Sequence, residues 1–210
     1  MNNLRIKIPD YVHITKSPTG KMEGIQSINT NTLTNPFCKK ASKNKNSICS
    51  ICYSNRQLKT IRSNCIKAFQ HNSNLLSKRI LNNNEIPTIL QSKFRFNSHG
   101  ELINLTHLKN LMLITTKNPH CTFALWFKRY DLIKPYFSKH KTPKNLILVF
   151  SNPNKITPLK KLPKYCHKTF NVVQKDYANK NEVNCSGKCI DCLKCYTITD
   201  TTKHIIEYKK

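Results

Sequence analysis

Three short apolar runs, Thr122-Phe-Ala-Leu-Trp-Phe127, Asn145-Leu-Ile-Leu-Val-Phe150 and Thr169-Phe-Asn-Val-Val173, do most to limit what this chain can fold into. Each has strand length, is rich in β-branched and aromatic residues, and is too continuously apolar for a half-exposed strand. The runs therefore predict strands buried on both faces. Helical patterns lie around them. Residues 56–81 put Leu58, Ile61, Cys65, Phe69, Leu76 and Ile80 near a 3.6-residue period, which predicts one long helix with a buried face. Asn104 is placed to cap a second helix with Leu105, Leu108, Met112 and Thr115 on one side, and residues 131–140 predict a short third helix weakened by Pro135. Residues 19–30 and 88–96 supply two further strand patterns. About five strand-then-helix steps before residue 175 predict an α/β fold of parallel units. A closed eight-unit barrel takes about 250 residues, so the expectation is a partial (β/α) barrel or an open parallel sheet. Residues 1–175 would form this core, and 176–210 a Cys-rich C-terminal appendage.

Charge narrows the partners. The chain of 210 residues has 36 Lys plus Arg against 10 Asp plus Glu, a formal charge of +26, which favours polyanions. Thirty of the bases are Lys and six are Arg, beside 25 Asn, a skew that an AT-rich genome also produces. Lysine suits attraction to a phosphate backbone more than reading of base edges, so the expected partner is nucleic acid met through a Lys-rich surface. The stretch Met1–Asp10 has no apolar segment of the export type, and no run of about 18 apolar residues occurs anywhere. The expectation is a cytoplasmic protein without membrane spans. Ten cysteines in a reducing compartment then point to metal ligands rather than disulfides.

The cysteines fall into two groups. Cys38, Cys49 and Cys52, followed by Tyr53, lie between a predicted strand and a predicted helix. Three thiolates can hold a soft metal with one position left open, as in an iron–sulfur cubane with a free iron or a catalytic zinc site; a four-Cys zinc ribbon that recruits Cys65 or a tail residue is the alternative. Cys185, Cys189, Cys192 and Cys195 are a denser group, whose overlapping short spacings suit ferredoxin-type ligation, with zinc as the alternative. Cys65 and Cys121 fit small core residues, and Cys166 has no paired spacing. The eight His residues form no metalloprotease-type group, which speaks against zinc-hydrolase chemistry. Only four glycines occur, so each is expected to answer a backbone need. Gly100 precedes Glu101 just past the strand ending at Asn97, where β/α sites collect. Lys128-Arg129, Ser151-Asn152 and Gln174-Lys175 follow other strands and are expected on the same rim. Thr19-Gly20-Lys21 lacks the remaining residues of a phosphate loop.

Gly20-Lys21-Met22 with Gly24, Asn35-Pro36-Phe37-Cys38, Cys49-x2-Cys52-Tyr53, Arg95-Phe96-x2-His99-Gly100-Glu101 and the Cys185 to Cys195 tail together resemble the phage gene product 88 family. That family looks like a compact relative of radical S-adenosylmethionine enzymes. The resemblance implies a 4Fe–4S cluster on Cys38, Cys49 and Cys52, with Tyr53 as the aromatic that follows the last ligand. It puts His99-Gly100-Glu101 in the place of the motif that holds the methionine end of S-adenosylmethionine. Gly100, Glu101, Tyr53, Lys128 and Ser151 are the expected cofactor-binding residues, and the catalytic residues stay unassigned. Two departures stand out: the usual short cluster spacing is stretched between Cys38 and Cys49, and His99 replaces a glycine. The tail would hold an auxiliary cluster or zinc. The implied function is that of an iron–sulfur protein encoded by a phage or mobile element, acting in the host cytoplasm on a nucleic acid or nucleotide. The alternative from another class is a non-enzymatic zinc protein that binds nucleic acid.

Overall fold

The strands pair in the order in which the chain makes them. The computed structural model describes residues 11–154 and 157–209; Met1–Asp10, with its expected lack of an export segment, lies outside the described residues. A two-residue β1 (Ile14–Thr15) pairs antiparallel with β2 (Ser27–Ile28). From there β3 (Lys93–Phe96), β4 (Thr122–Phe127), β5 (Leu146–Ser151), β6 (Lys168–Val173) and β7 (His204–Tyr208) each run parallel beside the preceding strand, giving an open seven-stranded sheet. The helices are α1 (Pro36–Ser42), α2 (Tyr53–Leu58), α3 (Ile66–Lys78), α4 (Leu105–Lys117), α5 (Tyr130–Phe137) and a one-turn α6 (Cys189–Cys192).

Parallel neighbours need crossovers, and right-handed crossovers between strands in chain order fall on one face. The connections that carry α3, α4 and α5 follow this rule, whereas the β6–β7 connection packs on the opposite face. Leu75 and Leu76 of α3, Leu108 and Leu111 of α4, and Ile133 and Phe137 of α5 share one core with Phe94, Phe96, Phe123, Leu125, Phe127, Leu146 and Leu148. The alternate strand residues Ala124, Trp126, Ile147 and Val149 point to the opposite, inner face. Segment 176–210, expected as an appendage, is built into this sheet. Its last stretch is β7, and Tyr196 is buried on the inner face beside Ile25, Ala124 and Trp126. Two ion pairs pin it, Lys168 to Asp200 at 2.7 Å and Lys21 to Glu207 at 2.7 Å.

Other expectations shift at their edges. The long helix expected over 56–81 is broken: α2 ends at Leu58, a 3₁₀ turn covers Ser63–Cys65, and α3 starts at Ile66. Ile61 and Ile80, expected on its buried face, are exposed, and Cys65 is only half-buried. Of residues 19–30 only Ser27–Ile28 is strand, and of 88–96 only Lys93–Phe96. Cys121 is buried in the core as expected. Among the described residues no helix is long and apolar enough to cross a membrane.

The asparagine excess has a structural use. Long connections leave backbone groups without secondary-structure partners, and buried amides satisfy them. Asn110 accepts from the Leu81 N–H and donates to the Leu76 and Arg79 carbonyls. Asn118 does the same for Ile89, Pro87 and Ile114. Asn72 accepts from the His13 N–H and donates to the His13 and Asn29 carbonyls, which holds the β1 segment against α3.

His107, inside α4, is fully buried. Its Nδ1 accepts the Ile103 N–H at 3.2 Å, and Nε2 has no partner among the described residues, so burial holds its pKa down at about 3 against an ordinary 6.5. The unfolded chain binds this proton below pH 6.5 while the folded chain refuses it. The stability that His107 permits is therefore complete above pH 6.5 and is lost as pH falls toward 3. At pH 4.5 the loss from this group is about 2 to 3 kcal/mol. Urea unfolding of the reduced protein at pH 7 and pH 4.5 should show a smaller acid loss, by about that amount, in His107→Gln than in the wild type.

Candidate metal centre

The turn after β3 is the floor of the site. Asn97 and Gly100 both take left-handed backbone conformations there, at φ 60° and 85°. A Cβ on Gly100 would lie 2.6 Å from the Thr30 carbonyl oxygen, so only glycine lets the turn press against the strand-end segment 29–32. That segment grips the turn along its length. The Thr30 N–H donates to the His99 carbonyl at 3.2 Å, Asn29 Oδ1 accepts from the His99 N–H at 2.8 Å, and the Gly100 N–H donates to Thr32 Oγ1 at 3.0 Å.

The three first-group cysteines are hung over this floor. Asn35 caps α1, accepting from the Phe37 and Cys38 N–H groups, while its own amide donates to the Glu101 carbonyl at 2.9 Å. One side chain thus fixes Cys38 relative to Glu101. Cys49 lies in a 3₁₀ turn, Ile48–Ile51, capped by Ser47 and tied by the Ile48 N–H to the Pro153 carbonyl at 2.8 Å, beyond β5. Cys52 opens α2, and Tyr53 directs its hydroxyl to the Ser98 carbonyl with its ring edge toward His99. The neighbouring strand ends complete the set. Lys128, just past β4, donates its N–H to Glu101 Oε2 at 2.7 Å and its ammonium to Ser151 Oγ at 2.9 Å. Glu101 Oε1 accepts the Leu102 N–H at 2.8 Å. The expected residues Gly100, Glu101, Tyr53, Lys128 and Ser151 therefore meet Cys38, Cys49 and Cys52 at the carboxyl ends of β3, β4 and β5. Gln174 and Lys175 do not join them; they lie with Asp176 and Lys209 beyond β6 and β7.

The electrostatics suit a thiolate site. Burial pushes the Cys38 thiol well up, reinforced by Glu101, Cys52 and Cys49. Burial also raises Cys49, and it lifts the buried Glu101 carboxyl to about 7 against the pull of Lys128. Burial opposes the Lys128 charge, but Cys49, Glu101 and Cys52 outweigh it and hold the ammonium above its ordinary value. These groups lie within each other's field, and a metal that made the thiols thiolates would find a cation already present. Among the described residues no three His, Cys, Asp or Glu side chains already form a closed ligand set. The fit rests on the donors: three free, half-buried thiols on three consecutive short elements.

The second group faces the inner side of the sheet. Cys185, Cys189, Cys192 and Cys195 line one narrow pocket with Lys21, Trp126 and Tyr196. All four are free thiols, and burial raises Cys189 and lifts Cys195 to about 12. Cys65, Cys121 and Cys166 belong to neither group. His99 Nδ1 bonds Ser54 Oγ at 2.8 Å, and burial, then Arg62 and Arg95, hold its pKa down at about 4. Asn35 and Arg95 stand within the quoted motifs, but neither they nor Tyr196 receive a role from the sequence. An Asn followed by Pro is a helix-start signal that would have found the first; nothing in the sequence marks the long-range contacts of the other two. No family model matches the chain, and neither a curated protein nor a solved structure matches it.

Replacing Gly100 by Ala should cost about 2 to 4 kcal/mol, because the turn loses both its backbone conformation and its contact with Thr30. Thermal unfolding of Gly100→Ala should show a melting temperature lower by roughly 5 to 15 °C, whether or not metal is bound.

Proposed function

We propose that this chain is an iron–sulfur protein of radical S-adenosylmethionine type, akin to the phage gene product 88 family and made by a phage or mobile element for the cytoplasm of its host. The observation that carries the reading is the meeting of three free thiols with Glu101 and Lys128 above the carboxyl ends of three consecutive parallel strands. Ligand sites collect at such ends because the loops there converge. Cys38, Cys49 and Cys52 would hold a 4Fe–4S cluster with one iron open, and such a cluster, reduced by an external one-electron donor, would supply the electron for reductive cleavage of S-adenosylmethionine and so for hydrogen-atom abstraction from a substrate.

The chain's own groups have distinct parts in this reading. Asn35 and Ser47 orient the segments that bear Cys38 and Cys49. Glu101 is held rigid by two backbone N–H donors, which leave about half of its lone pairs for a ligand ammonium. Lys128, steadied by Ser151, compensates thiolate charge and is placed for a carboxylate or phosphate.

The substrate class follows from charge. From Gly24 to Asn84 the sequence holds no Asp or Glu. Lys39, Lys40, Lys43, Lys45, Arg56 and Lys59 are exposed around the first thiol group, with Ile51 and Tyr53 also exposed among them. A cationic rim with an aromatic ring favours a nucleic-acid strand whose bases stack while its backbone is held by lysines.

Anaerobically purified protein should be brown and carry iron and labile sulfide in two populations. Cys52→Ala should lose one population and all S-adenosylmethionine binding, whereas Glu101→Ala should keep its iron but bind S-adenosylmethionine roughly ten- to a hundredfold more weakly. Colourless protein with two zinc ions per chain would overturn the cluster reading and leave the zinc-dependent nucleic-acid binder.

Binding of a single-stranded oligonucleotide should weaken linearly on a log–log plot against salt. Lys39→Ala with Lys40→Ala should flatten the slope by about 1 to 2, and absence of binding at low salt would remove nucleic acid as the substrate class.

A further inference from the structure

Behind the tail thiols lies a charge that nothing yet described explains. Arg95, on β3, points to the inner face, where it is 9% exposed. Its guanidinium lies 3.9 Å from the centre of the Trp126 ring and donates to Met22 Sδ at 3.3 Å. Its Nε has no partner among the described residues. The ionisable groups acting on it most strongly are the Tyr196 and Tyr53 phenols and the Cys189 thiol, none of them a carboxylate. Of the lysines that line the thiol pocket, Lys21 already has Glu207 at 2.7 Å, Lys194 donates to the Asn184 carbonyl at 3.2 Å, and Lys188 is exposed; Arg95 lies behind that lining.

Guanidinium cannot escape burial by giving up its proton, so a buried Arg needs an anion or it costs several kcal/mol. Neutral thiols supply none. A set of four thiolates around a divalent ion, or around a 4Fe–4S core, carries roughly two negative charges and would supply it. The link is already in place. The Tyr196 hydroxyl donates to Met22 Sδ at 3.5 Å, the same sulfur that accepts from Arg95, and Cys189 and Cys195 pack against the cluster that holds Tyr196, so cation, phenol and thiols share one buried neighbourhood.

We infer that Arg95 is the counter-ion of a thiolate–metal centre formed by Cys185, Cys189, Cys192 and Cys195, and that metal binding in the tail and packing of the inner sheet face are thereby one coupled event. The inference rests on the reading of the tail as a metal centre, and it assigns a positioning residue outside the ligand set. Outer partners of metal ligands orient them and tune their charge, and their loss typically costs ten- to a hundredfold in metal affinity.

Trp126 is the chain's single tryptophan and touches both Arg95 and Tyr196, so it reports on this site alone. Cobalt(II) titration of the reduced, metal-free full chain, read by Trp126 quenching and by thiolate-to-cobalt absorption, should show a tail site that Cys192→Ala abolishes. In Arg95→Gln this site should weaken roughly ten- to a hundredfold, and Arg95→Lys should recover most of the affinity. Without metal, Arg95→Met should melt no lower than the wild type, because an uncompensated charge has gone, and cobalt should raise its melting temperature less. Wild-type cobalt affinity in Arg95→Gln, or a metal-free Arg95→Met that melts well below the wild type, would make Arg95 a packing residue only. If cobalt leaves Trp126 unquenched in the wild type, the tail metal centre itself is refuted and the inference goes with it.

Discussion

Strands that lie parallel and in chain order can be joined only by crossovers, and crossovers of one hand all cover the same face. That constraint organises this molecule. It sends α3, α4 and α5 to one side, where they bury alternate residues of β3, β4 and β5. It leaves Trp126, Ala124, Ile147 and Val149 in need of another cover, and the β6–β7 connection departs from the other crossovers to supply it, laying Tyr196 on that opposite face. It also gathers the carboxyl ends of β2 to β7 on one rim. The first thiol group, Glu101 and Lys128 owe their proximity to this gathering, since Cys38 and Lys128 are ninety residues apart in sequence.

Much of this was legible in the sequence wherever one element dictates its own pattern. The continuous apolar runs at 122–127 and 145–150 and the capped helix after Asn104 are local signals, and the structure has β4, β5 and α4 there. Where structure depends on distant partners, the pattern misleads. Leu58, Cys65 and Phe69 share a helical period, yet the chain breaks between them, and Ile61 in the break stays exposed. β7 is a mixed polar segment whose pairing with β6 no local periodicity announces. Cysteine density made 176–210 look self-contained, although Lys168 and Lys21 bind it to the sheet.

The candidate site divides in the same way. Cysteine spacing and strand-end position found the thiols, Glu101, Lys128 and Ser151, because ligand spacing and strand termini are written in sequence. The brackets that hold them were not legible. Asn35 earns its place by touching Glu101 and Cys38 at once, and Asn29 by touching His99 and Ser98, contacts made only after the strands are paired. The asparagine count, which looked like a genomic skew, is in part this bracket chemistry.

The position of Tyr196 has a meaning in time as well as in space. It follows, in the chain, every strand that it covers; β3, β4 and β5 have all left the ribosome before it does. During that interval the helix-bearing face can close while Trp126 and Arg95 still look onto water. Contacts of such long sequence separation form late. The nascent sheet therefore carries one finished and one unfinished side, and it is the later arrival of the segment around Tyr196 that covers the second.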